Sequence, residues 1–165
     1  MNKQEILEEI KKTEEHLSNM EKMLKECEYE RWKPQKDELY YYLNSYNIAI
    51  PETWDASCYS DTTKWNTYNC FKNREEAEQE AEKILVRRML EDIARRLNKG
   101  QKIDWDNNNQ IKYYFYFDFL QNEMFSYHRF NQKKQGVVYC LDKNFLDIAI
   151  QEIGEERLKK YLRGE

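Results

Sequence analysis

The chain has 165 residues and a formal net charge of −4. That length supports one domain with an appendage, and that balance argues against a general nucleic-acid binder, which carries a basic surplus. Thirteen tyrosines and four tryptophans against four glycines exclude a disordered chain and make aromatic side chains the main core material. Four cysteines without a Cys-x-x-Cys, only two histidines, and no apolar run of membrane-spanning or leader character argue against structural zinc and against a membrane, so the expected compartment is the cytosol with reduced thiols.

Residues 2–30 carry one helical pattern. Ile6, Ile10, Thr13, Leu17, Met20, Leu24 and Cys27 recur at alternating spacings of four and three, a heptad seam with Glu and Lys on the other faces. The seam fits two uses: a homodimer through Ile6, Ile10, Leu17, Met20 and Leu24, or packing on another helix of the same chain. Trp32-Lys33-Pro34 ends the helix, because Pro34 cannot continue it and Lys33 is pushed to extended geometry. A strand is expected at about 38–44, a turn at Asn44-Ser45-Tyr46-Asn47, and a returning strand at about 48–54. Residues 55–67, polar and turn-rich around Trp54 and Trp65, read as a long ordered loop. Asn73 with Glu76 has the capping-box spacing, so a helix runs from about 74 to 98, where Asn98-Lys99-Gly100 stops it. Ala77, Ala81, Ile84 and Leu85 suit packing on a sheet. Val86, Leu90, Ile93 and Leu97 continue a stripe that fits the N-terminal seam.

The second half opens with Ile103-Asp104-Trp105 and a polar run to Gln110. Strands are expected at 111–119 and 123–130 around a Gln121-Asn122 turn, then a third strand, Val137-Val138-Tyr139-Cys140-Leu141, after Gly136. Asp142 caps a helix to about Ile153, Gly154 breaks it, and Glu155–Leu162 forms a last helix. Cys70-Phe71-Lys72-Asn73 and Tyr139-Cys140-Leu141-Asp142 thus read alike: strand end, cap, helix. Each follows a Tyr-rich strand, Tyr40-Tyr41-Tyr42 or Tyr113-Tyr114-Phe115-Tyr116. The expected architecture is α+β: an antiparallel Tyr-rich sheet from two pseudo-repeated hairpin–helix units, halves about 31–100 and 101–165, behind an N-terminal helical arm over 1–30.

With Gln121-Asn122 as a two-residue hairpin loop, Phe119 faces Met124, Phe117 faces Ser126, Phe115 faces His128 and Tyr113 faces Phe130, all on one core face. The opposite face carries Tyr114, Tyr116, Tyr127 and Arg129. It is too aromatic for a plain solvated surface, and it either anchors a ligand or is covered by the rest of the chain. Arg87, Arg88, Arg95 and Arg96 resemble a basic patch, but Glu91 and Asp92 stand four residues before Arg95 and Arg96 and read as helix-surface ion pairs. Asp104-x-Asp106-x-Asn108 starts like a calcium loop, yet Phe115 stands at the twelfth position, where a bidentate Glu is needed. His128 is expected as a satisfied core histidine rather than the partner of a nucleophilic Cys140. Glu9-Ile10-Lys11 matches a nuclease Glu-x-Lys inside the heptad helix, the wrong setting. No cofactor and no metal site is expected.

Several words together form a fingerprint: Arg31-Trp32-x-Pro34, Leu39-Tyr40-Tyr41-Tyr42, Asn69-Cys70-Phe71-Lys72, Ile103-Asp104-Trp105, Gly136-Val137-Val138-Tyr139, and Ile153-Gly154-Glu155-Glu156-Arg157-Leu158-Lys159-Lys160-Tyr161-Leu162. In this it resembles a recurrent type of small protein encoded by phages and prophages of low-GC Gram-positive bacteria. The resemblance implies a phage accessory protein in the bacterial cytosol that binds and inhibits a host component, a protein of an anti-phage defence system such as CRISPR. It carries over no functional residue. The residues themselves offer Tyr114, Tyr116, Tyr127 and Arg129 as a binding surface and no catalytic set. The alternatives are a protein that sequesters a nucleotide signal and, less well supported, a nuclease or other enzyme.

Overall fold

The computed structural model describes residues 3–27 and 31–165. It divides into one unit that ends at Pro34 and a second that spans Gln35–Glu165. The first unit carries helix α1 (Lys3–Cys27). Along its seam Ile6, Ile10, Thr13, Leu17 and Met20 are exposed, and Thr13 Oγ1 donates to Glu9 O at 2.8 Å. The side chains of Leu24 and Cys27 lie outside the described residues. Among the described residues no helix is long and apolar enough to cross a membrane.

The second unit is mixed α+β: two antiparallel hairpins, each packed on helices. Strands β1 (Leu39–Leu43) and β2 (Ala49–Thr53) pair with Tyr41 opposite Pro51. Asn44 sets their turn, its Oδ1 accepting from the N–H groups of Tyr46 and Ile48 at 2.9 and 3.0 Å. Residues 59–66, expected as loop, form helix α2 (Tyr59–Asn66). It is fixed from outside its own sequence, because the side chains of Asp61 and Lys64 dock under β1.

Helix α3 (Arg74–Leu97) begins where the capping box places it. Asn73 Oδ1 accepts from the Glu76 N–H at 2.9 Å, while Glu76 Oε2 takes the Lys72 N–H at 3.2 Å. The helix stops through Lys99 and Gly100, both at positive φ. Three of the four arginines of the expected patch are paired along the surface: Arg87 with Glu91 at 3.0 Å, Arg95 and Arg96 with Asp92 at 3.3 and 3.1 Å. Glu91 therefore pairs backward to Arg87, not forward to Arg95.

Strands β3 (Lys112–Asp118) and β4 (Glu123–Arg129) form the second hairpin, followed by helices α4 (Phe145–Ile153) and α5 (Glu155–Arg163). Gly154, at φ 98° and ψ 139°, makes the break between the two helices, a backbone region that residues with a Cβ rarely enter. Val86, Leu90 and Ile93 of α3 join Phe115, Cys140, Phe145, Ala149, Ile153 and Leu158 in one core cluster. The stripe expected to fit the N-terminal seam is thus covered by α4, α5 and β3, and Leu85, expected on the sheet, is exposed. Arg157 closes over the cluster onto Glu82, which holds the Glu82 carboxyl below its ordinary range.

The two units of the repeat share a topology but not one sheet. Among the described residues each hairpin is a two-stranded sheet, extended by a single bridge to the segment that enters the next long helix or helix pair. Tyr41 exchanges both backbone bonds with Phe71, at 3.0 and 2.8 Å, and Tyr113 does the same with Cys140, at 2.7 and 2.9 Å. The third strand expected at Val137–Leu141 shrinks to that bridge. The pairing makes Phe71, not Cys70, the counterpart of Cys140. The caps differ as well. Asp142 accepts from the Asn144 N–H at 2.9 Å in a turn, and Asn144 is the N-cap of α4, its side chain making no capping hydrogen bond.

Candidate functional site

The second hairpin carries the surface that the aromatic alternation singled out. Its loop is longer than Gln121-Asn122. Asp118 Oδ1 accepts from the N–H groups of Leu120 and Gln121 at 2.9 and 3.1 Å, and Asn122 takes φ 56°. The turn therefore spans 119–122, with Asp118 opposite Glu123. The register moves by two residues: Phe117 meets Met124, Phe115 meets Ser126 and Tyr113 meets His128. An even shift keeps every side chain on its expected face. It changes what lies at the ends. Phe119 leaves the core and joins Leu120 at the tip, the pair 72% and 98% exposed. His128, expected in the core, is exposed at the edge of the sheet.

The tip is held from below. Arg163 of α5 lays its guanidinium over the Phe117 ring at 4.5 Å and donates to Asn122 Oδ1. Phe119 packs edge-on against Phe117, with ring centroids 5.2 Å apart. These contacts present two apolar side chains on an ordered turn.

Of the four expected binding residues, Tyr116 and Tyr127 are 40% and 44% exposed, Arg129 is half-buried, and Tyr114 is buried at 3%. Tyr114 is no surface residue, because two loop segments fold over the lower part of its face. Tyr139 lies 5.3 Å from its ring and the Lys134 ammonium 5.2 Å above it. Tyr139 is itself wedged edge-on by Trp105 at 4.8 Å, and its hydroxyl accepts from the Lys134 N–H at 2.8 Å. Lys112, fully buried, ties the same segments together, its ammonium donating to the carbonyls of Asn107 and Phe130 at 2.9 and 2.5 Å. The Arg129 guanidinium rests on the Tyr127 ring at 5.0 Å, and its buried Nε finds no hydrogen-bond partner among the described residues.

The first hairpin holds a polar cluster that sequence reading missed. The buried Tyr40 hydroxyl lies 3.0 Å from Glu52 Oε2 and 2.9 Å from Asp61 Oδ1. The Lys64 ammonium donates to Tyr40 Oη at 3.2 Å, reaches Glu52, and sits 4.1 Å from the centre of the Tyr42 ring. The Asp55 N–H donates to Asp61 Oδ2 at 2.9 Å. Burial, then the hydrogen bonds to Asp61 and Glu52, push the Tyr40 phenol far above its ordinary range. Burial opposes the Lys64 charge, but the Glu52 and Asp61 carboxylates win and raise it. A protonated phenol and a charged amine fasten α2 to the hairpin, and both shifts run away from what a general base or nucleophile needs. In the sequence Asp61 and Lys64 fall within the segment 55–67 that reads as a loop.

This cluster sets a pH dependence. Both groups bind their proton more tightly in the folded chain, so their stabilisation is complete below the ordinary values of 10.0 and 10.5 and is lost as the pH rises above them. Urea unfolding followed by tryptophan fluorescence is expected to show falling stability above about pH 10. A Tyr40→Phe variant should lose part of that slope. A pH profile with no alkaline decline would show that the cluster does not exist in solution.

The other chemistry-bearing words serve structure. The Cys140 thiol is buried and donates to Asn98 Oδ1 at 3.3 Å, and burial pushes its pKa up. Asp104 makes a turn, accepting from the Asp106 N–H at 3.0 Å while its own N–H goes to Gln110 Oε1 at 2.7 Å. Among the described residues no group of three or more His, Cys, Asp or Glu side chains is placed to hold a metal ion. Two grooves of about 470 and about 570 Å³ lie elsewhere, the first between α3 and α5 beside Glu82 and Arg157, the second beside Ala94, Ile103 and Tyr139. Neither is lined by Tyr116, Tyr127 or Arg129. Comparison with protein-family models, with curated proteins and with solved structures finds no match.

Proposed function

We propose that the chain works by binding a protein partner through the tip and outer face of the second hairpin. The observation that supports this is the ordered apolar tip: Phe119 and Leu120 stand exposed on a turn fixed by Asp118, Asn122 and Arg163, beside the half-exposed Tyr116 and Tyr127. Rigid aromatic and aliphatic side chains gain contact area at little entropic cost, which suits recognition. A nucleotide would call for a pocket closed by aromatics and Arg129. Here the Arg129 guanidinium sits over the Tyr127 ring at 5.0 Å instead, and neither large groove is lined by these residues, which favours a protein over a small molecule. The resemblance to small phage-encoded proteins supplies the context. In this proposal the partner is a bacterial host protein of an anti-phage defence system such as CRISPR, and binding inhibits it.

The test is affinity capture from host lysate with the native chain and with a Tyr116→Ala, Leu120→Ser variant, followed by mass spectrometry of bound proteins and small molecules. The native chain is expected to retain one dominant protein, and the variant to bind it at least about tenfold more weakly while unfolding at the same denaturant concentration. Equal retention by both chains would remove the hairpin tip from the reading. Capture of a nucleotide instead would support the sequestering alternative.

A further inference from the structure

We infer that the free edge of β4 pairs with the β4 edge of a second copy of this chain, antiparallel about a two-fold axis at Ser126, making one four-stranded sheet from two hairpins. The argument begins with which backbone groups face outward. Tyr113 gives both its N–H and its C=O to Cys140, so it does not bond His128 across the hairpin. Antiparallel pairs alternate between bonded and non-bonded. The pairs Phe115–Ser126 and Phe117–Met124 are therefore non-bonded too, and Met124, Ser126 and His128 direct their N–H and C=O groups away from β3. Among the described residues no strand or bridge covers them.

The other hairpin closes its edges. On β1 the Tyr41 groups are taken by Phe71, and the Asn69 side chain accepts from the Leu43 N–H and donates to the Leu43 carbonyl, each at 2.8 Å. By the same alternation the outward residue at the centre of β2 is Pro51, which has no N–H to offer. Among the described residues the β4 edge has no such protection. Its seven residues, Glu123–Arg129, contain neither proline nor glycine.

Charge selects the occupant. Within the hairpin, Asp118 stands opposite Glu123 at the tip and Lys112 opposite Arg129 at the base, so each end sets like charges across from each other. A second copy running antiparallel over the full length of β4 brings the acidic tip of one hairpin to the basic base of the other. Glu123 then meets Arg129 of the second copy, Phe125 meets its Tyr127, Met124 meets its His128, and Ser126 meets its own equivalent. The outward groups of 124, 126 and 128 pair with one another in this register, and the isologous contact closes at two copies. Arg129, whose buried Nε has no hydrogen-bond partner among the described residues, gains a carboxylate.

The experiment is sedimentation equilibrium of the purified full-length chain with Glu123→Arg, Arg129→Glu and the double reversal. Each single reversal meets an opposite charge within its own hairpin, Asp118 or Lys112, so both variants keep the fold, which circular dichroism checks. The native chain should form a dimer. Each single reversal should weaken it about tenfold or more by setting like charges together twice per dimer, and the double reversal should restore it. In native chain, the amides of Met124, Ser126 and His128 should gain hydrogen-exchange protection as concentration rises; this readout decides the matter if a single variant misfolds. A native monomer, or a dimer indifferent to all three variants, overturns the inference. The indifferent dimer is what association through the α1 seam would give. The inference does not rest on the partner-binding proposal, since it is read from the purified chain alone.

Discussion

A Phe145→Ala chain is expected to lose about 4 kcal/mol of stability, measured by urea unfolding. Phe145 is almost wholly buried and packs against Phe115 with ring centroids 5.1 Å apart. Its ring is where the second hairpin, α3, α4 and α5 converge. Truncation removes the transfer free energy of the ring and leaves a cavity whose walls cannot collapse, because Leu90 and Ile93 sit on α3, held by its cap and ion pairs, and Leu158 on α5, which Arg157 ties to Glu82 of α3. Domains of this size have only about 5–15 kcal/mol in all, so the variant should be marginal and lose the Trp105 environment with the rest of the unit. A loss under about 1 kcal/mol would mean that the four elements do not share a core.

Asp61→Ala should cost about 3 kcal/mol. It removes a buried acceptor from Tyr40 Oη and from the Asp55 N–H and leaves Lys64 with Glu52 as its carboxylate partner in this cluster. The Glu52 carboxylate is partly exposed and stays with Lys64, which keeps the cost at the lower end of the range for a broken buried pair. Asp61→Asn should fall between the native chain and the alanine variant, since it retains an acceptor but not the charge. The effect should be local first: α2 and β1 lose hydrogen-exchange protection before α3 does. Because Asp61 and Phe145 are not members of one cluster, their costs should add in the double variant. A cost below about 1 kcal/mol for Asp61→Ala would mean that water already satisfies this site.

What the sequence alone determined is what short-range physics governs. The α3 start follows from Asn73 and Glu76, its end from Lys99 and Gly100, and the α4–α5 break from Gly154; each is a matter of a few neighbouring residues and the backbone angles they permit. The two hairpins follow from period-two alternation ended by Asn44 and Asn122. The α+β class came with them. The heptad periodicity gave α1 its helix, though not the use of its seam.

Tertiary structure decided the rest, because it depends on residues far apart in the chain. The register of the second hairpin turned on whether Asp118 would cap the turn, and that choice moved Phe119 from core to tip and His128 to the edge. The expected binding face lost Tyr114 because Tyr139 and Lys134 close over its ring, with Trp105 from a separate loop wedged against Tyr139. Helix α2 exists where a loop was expected because Asp61 and Lys64 find Tyr40 and Glu52, up to 24 residues away. The α3 stripe went to α4 and α5, since a helix stripe advertises only that it needs an apolar partner, and the chain fills it with whichever element the connections bring within reach.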